Sequence, residues 1–133
     1  MVRPDVAVGK LARARAWLAD AEGLIGREER RDRDLGAFYL FLAIQECIDL
    51  ATHWVADEGW PVPDDAGASF DLLADRGVLD RGVAEGMRGA VGLRNRIGHG
   101  YAAIDHERIG NELGQGAETL RGFLAAVADE AGL

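Results

Sequence analysis

The sequence predicts an all-α, up-and-down bundle of four to five helices. Apolar residues recur at spacings of three and four along most of the chain, no segment shows sustained β alternation, and the pattern breaks at Gly, Pro or Asp. At 133 residues the chain reads as one domain, 1–133, and 48% hydrophobic against 29% charged residues is ordinary globular usage. Its 18 glycines exceed the usual share, and because glycine weakens helices, packing must compensate.

The first helix is expected from about Asp5 to Gly26, with Leu11, Ala14, Leu18, Ala21 and Ile25 forming one buried stripe. The charged run REERRDRD (27–34) then reads as a solvated turn or frayed helix end, since acids interleave its bases. A second helix is expected over about 34–57. Ala37, Phe41, Ile44, Ile48, Ala51 and Val55 make its stripe, and Phe38, Tyr39 and Leu42 extend apolar character around most of its circumference. Such a helix lies at the centre of a bundle or is shared with a partner, and a homodimer built on it is expected. Gly59 and the prolines of GWPVPDD (59–65) end it.

A short helix follows over 68–76, stopped at Gly77. Asp80 is the expected N-cap of a fourth, about 81–97, with Val83, Met87, Ala90 and Ile97 inward and Gly98 and Gly100 as its stop. Asp105 caps the last, which turns Ile109, Leu113, Leu120, Leu124 and Val127 to the core.

Fifteen basic against 23 acidic residues give a net charge of −8, which argues against a broad nucleic-acid cradle. The distribution is uneven: residues 35–80 carry 1 base and 9 acids, whereas 81–105 carry 4 and 2. A polyanion site is therefore expected to be local and to lie in 81–105. The single cysteine, Cys47, excludes an internal disulfide and reads as core packing in a reducing cytoplasm. With no stretch of signal-peptide character and no window near the roughly 18 uncharged apolar residues of a membrane span, the chain reads as soluble, untargeted and free of membrane.

Chemistry concentrates in LRNRIGHGYAAID (93–105). Arg94 falls four residues after Ala90 and three before Ile97, which places a guanidinium on the inward stripe, where it needs an anion or several acceptors. His99 would diverge from it by about 140° and about 7.5 Å on a continuous helix. Flanking glycines are expected to turn the chain, bringing the imidazole back to share a pocket with Arg94 and the Tyr101 hydroxyl. Such a pocket suits RNA phosphate chemistry without a metal: the Arg fork holds nonbridging oxygens, and imidazole, which titrates near neutrality, moves the proton of the 2′-OH or of the leaving oxygen. In a twofold dimer, base and acid come from different subunits. The plainer reading has Arg94 bonding terminal carbonyls, His99 capping the helix and Tyr101 packing, and spacing alone favours it.

Arg94, Asn95, His99 and Tyr101 also reproduce an RNxxxHxY signature that resembles the HepT-like proteins, toxins of HepT/MntA toxin–antitoxin pairs in the HEPN superfamily. FYLFLAIQECIDLATHWV (38–55), FDLLADRGVLD (70–80) and YAAIDHERI (101–109) are similar to flanking segments of that family, so the likeness spans about residues 35–115. It implies a HEPN-like homodimer with a composite ribonuclease site, in which Arg94 binds phosphate, His99 is the acid/base, and Asn95 orients the phosphate or a neighbouring chain. It also implies that Tyr101 is the acceptor of AMP from a minimal nucleotidyltransferase antitoxin of the MntA type, which would silence the toxin by setting a covalent phosphate beside Arg94 and His99. The positions between Asn95 and His99, usually aliphatic in the family, are here Arg96, which adds supporting charge, Ile97, and Gly98, which is expected to loosen the geometry.

Glu46, Asp49 and His53 suggest metal ligands by spacing, but a satisfied polar cluster at a subunit interface is the better reading, and no metal site is expected. His106 should be exposed, and Trp17, Trp54 and Trp60 should pack at the core or helix ends. No glycine loop cradles phosphate, so no cofactor is expected. The rivals to an RNA-cleaving toxin are a non-catalytic HEPN module that grips a partner nucleotidyltransferase, and a purely structural helical dimer.

Overall fold

Pro4 stands in the first turn of the first helix, where its missing N–H leaves no bond unmade. From there the computed structural model describes residues 2–100 and 105–133 as α1 (Pro4–Leu24), α2 (Arg30–Asp57), α3 (Ala68–Asp75), α4 (Arg81–His99) and α5 (His106–Ala131). Among the described residues every regular element is helical. The expected stripe of α1 is buried in full, as are the five inward residues named for α5. Gly59 and Gly77 follow the ends of α2 and α3 with φ of 81° and 77°, left-handed backbone that a side chain would strain.

Two boundaries differ from expectation. Residues 30–34, expected as turn, form the first turn of α2, where Arg30 meets Asp34 one turn on at 3.4 Å and Asp32 sits at the positive end of the helix. Interleaved charges are what a solvated helix start wants. The second difference, at the end of α4, concerns the site.

α2 is the hub: it packs against α1, α3, α4 and α5, whereas α1 reaches only α2 and α5 among the described residues. Gly36 makes the tight joint with α1, since a Cβ there would lie 2.9 Å from Ile25 Cγ1 and 3.0 Å from Ile25 N. Phe70 of α3 meets Phe123 of α5 edge to face at 5.0 Å, anchoring the short helix. Trp54 is buried, while Trp60 lies half-buried under the Arg76 guanidinium.

α2 is long and apolar enough by length and composition to cross a membrane, contrary to the expectation that no window comes near that limit. Half of its most apolar 18-residue stretch is buried inside the bundle. About half of that apolar stretch therefore serves the core. What remains outward is a stripe of Leu35, Phe38, Leu42, Gln45 and Asp49, with Leu35 40% and Phe38 53% exposed.

Candidate active site

Asp80 opens α4 as expected, its carboxylate accepting from the N–H groups of Gly82 at 2.8 Å and Val83 at 3.2 Å. The helix then runs on through Gly98 to His99 rather than stopping at 97. Gly100 has φ −104°, and its N–H still donates to the Arg96 carbonyl at 2.8 Å. The expected turn-back at these glycines does not occur. Gly98 serves a different purpose: a Cβ there would lie 3.0 Å from Phe41 Cε2, so glycine lets α4 close on the α2 ring. Packing, not looseness, explains the departure at this position.

Leu93 and Ile97 take the core side of α4, which leaves Arg94 half-buried at the seam with α2 rather than on the inward stripe. Its Nε and Nη2 donate to Asn95 Oδ1 at 3.1 and 2.6 Å, and its Nη1 donates to Gln45 Oε1 at 2.9 Å. A guanidinium has five N–H donors, so these bonds leave one N–H on each terminal nitrogen. Both partners are neutral amides. The positive charge is held in place without being neutralised, which suits reception of a phosphate oxygen pair.

Asn95 and His99 are exposed, His99 in the last turn of α4. On this unbroken helix the two are offset from Arg94 as helical geometry dictates, so one subunit does not converge Arg94 and His99 on a shared pocket. Arg96 turns to α5, where its Nη2 lies 2.6 Å from Glu112, a carboxylate that also takes Arg108 Nε at 3.1 Å. Its charge is thus compensated, and it braces α4 against α5. Tyr101 lies outside the described residues, which resume at Asp105; that carboxylate caps α5 by accepting from Arg108 N at 3.0 Å.

His106 is not exposed as expected: its side chain is 15% accessible, with Nε2 2.7 Å from Asp34 of α2. The polar cluster on α2 finds partners within the chain. Glu46 takes Lys10 Nζ at 3.3 Å and Arg13 Nε at 3.2 Å from α1, Asp49 stands 3.6 Å from Lys10, and His53 is exposed away from them. Buried Cys47 next door has its thiol pushed far up by desolvation, with the Glu46 charge adding in the same direction, so it stays a protonated hydrophobe. Sequence reasoning missed Gln45, whose amide nitrogen donates to Asp49 at 3.3 Å. The available signal was a Gln–Asp pair at i,i+4 near the centre of a largely apolar helix.

An unneutralised arginine on a histidine-ended helix, in a bundle of five described helices, defines a candidate phosphate-handling site. A family model described as Ribonuclease HepT-like matches residues 18–127, and the chain belongs to that ribonuclease family. It is 32% identical over 95 residues, 71% of either chain, to an Archaeoglobus fulgidus protein named "Putative RNase". It is 21% identical over 131 residues to the mRNA nuclease HepT of Shewanella oneidensis, covering 95% of this chain and 98% of that one. Two solved structures share the fold at TM-score 0.85 and cover 94% of this chain and 98% of theirs. One, 20% identical, is a tri-AMPylated HEPN toxin of Shewanella oneidensis in complex with MNT antitoxin; the other, 19% identical, is a toxin–antitoxin with AMP-PNP.

Proposed function

We propose that this chain is the toxin of a HepT/MntA-type pair, a homodimeric endoribonuclease that cleaves RNA without a metal. The observation that carries the reading is Arg94, fixed by two amides with its charge free and an N–H left on each terminal nitrogen. Those two donors match two nonbridging oxygens, and their attraction grows as the phosphorus becomes five-coordinate and charge builds on the oxygens. His99 of one subunit takes the proton of the ribose 2′-OH as the O2′–P bond forms. The P–O5′ bond breaks as the partner's His99 gives its proton to the departing oxygen. Because α4 runs unbroken from Arg94 to His99, the second subunit supplies what one helix does not bring together.

The outward stripe of α2 is the proposed seam, since exposed Leu35 and Phe38 continue into Gln45, the partner of Arg94. Asn95 keeps the Arg94 fork aimed, and Arg96 braces α4 against α5. Tyr101, two residues past His99, is the proposed acceptor of AMP from an MntA-like minimal nucleotidyltransferase; the named partner and modification of the Shewanella oneidensis structure support this. The adduct would set a phosphate against the residues that must receive RNA. A reducing cytoplasm is the setting proposed for such a pair.

The decisive experiment expresses the chain alone and with a neighbouring transferase. Growth arrest by the chain alone, RNA cleavage that persists in EDTA, and loss of both in His99→Ala with the dimer intact are expected. Cleavage by His99→Ala would remove its acid/base role, whereas absence of cleavage by the parent chain would favour a non-catalytic HEPN module. Tyr101→Phe should take up no AMP from ATP and the transferase, read by intact mass.

A further inference from the structure

Gln45 stands between two groups of opposite character. Asp49, as a carboxylate, only accepts hydrogen bonds, and Arg94 only donates them. The Gln45 amide satisfies both in a single orientation, nitrogen to Asp49 at 3.3 Å and oxygen to Arg94 Nη1 at 2.9 Å. Asp49 is held in turn by Lys10 of α1 at 3.6 Å, and Lys10 also pairs with Glu46 at 3.3 Å. Three helices thus contribute to one oriented chain of polar groups that ends on the guanidinium. Alternatives for this position are unsuitable on physical grounds: a carboxylate would neutralise Arg94, and an apolar side chain would leave Nη1 without its fixed acceptor.

We infer that Gln45 is a positioning residue for RNA binding, a neutral acceptor locked by Asp49 and Lys10 that aims the Arg94 guanidinium at phosphate while leaving its charge available. The inference rests on the proposed phosphate role of Arg94, and the test separates the two. The full-length chain carrying His99→Ala, so that substrate survives, is titrated with a fluorescein-labelled single-stranded RNA of mixed sequence, and folding is checked by thermal melts.

Gln45→Met, which keeps length but removes the acceptor, is expected to weaken binding roughly tenfold, the scale of one hydrogen bond to a charged group. Gln45→Glu is expected to lose as much as Arg94→Ala. In an Arg94→Ala background Gln45→Met should cost nothing further, because a residue that acts through Arg94 has nothing left to position. Asp49→Ala, which removes the acceptor of the amide nitrogen without touching Arg94, should give a smaller loss that also vanishes in that background. A Gln45→Met loss that persists undiminished without Arg94, or RNA binding by Gln45→Glu equal to the parent's, overturns the assignment. Unchanged binding by Arg94→Ala overturns the phosphate role itself, and the Gln45 assignment with it.

Discussion

Arg94 is competent because of what its partners lack. Asn95 and Gln45 orient it through three hydrogen bonds yet carry no charge, whereas Arg96, two residues on, is paired with Glu112. The same helix therefore keeps one arginine unneutralised, as the proposed phosphate role requires, and uses another as a brace. Gly98 is the neighbouring glycine that α2 constrains. A methyl there at 3.0 Å from Phe41 Cε2 must push the ring, and Gly98→Ala is expected to destabilise the fold by about 1–2 kcal/mol in a denaturant titration. Phe41→Leu in the same chain should recover part of the loss. Cys47, buried and with its thiol pushed up, should react with a thiol-specific dye only after unfolding; rapid native labelling would contradict that burial.

At the scale of elements, α1 and α2 meet through a polar joint inside an apolar seam. Glu46, 12% exposed in its side chain, faces Lys10 and Arg13, and Lys10 is only 19% exposed. Glu46→Ala leaves a largely buried ammonium with only Asp49 for a counter-ion, and we expect a cost of about 2–3 kcal/mol by urea unfolding, discounted for the exposure of Arg13. Asp80→Ala, which removes a side-chain cap from exposed backbone at the start of α4, should cost only about 1 kcal/mol. The order of those two values is the sharper test, because it distinguishes a buried joint from a surface cap. Asp49 links this joint to Gln45, so weakening α1–α2 contact should also be felt at Arg94.

For the whole molecule, α2 is both the hub of one subunit and the proposed seam between two. Phe38→Glu introduces a charge on a ring already 53% exposed, so the subunit fold should tolerate it. Sedimentation should then report monomer, with RNA cleavage lost while the helical melt is retained. Activity from that monomer would contradict the composite site. How much of this arrangement was readable beforehand follows from the range of the forces. The α1 stripe, the Asp80 and Asp105 caps and the stops at Gly59 and Gly77 express spacing and local backbone chemistry, and the structure carries all of them. His106 misled because its partner, Asp34, is 72 positions away and nothing local announces the pairing.

Helical periodicity, capping chemistry and the Arg94–His99 spacing belong to neighbours along the chain, and the amino-acid order alone determined them, together with the family to which they point. Whether Gly98 ends a helix or admits a ring, whether Arg94 or Arg96 keeps its charge free, and which amide steadies the guanidinium were decided only when α2, α4 and α5 came together. Those outcomes depend on side chains far apart in sequence competing for the same few ångströms of space and the same donors, and no local pattern encodes that competition.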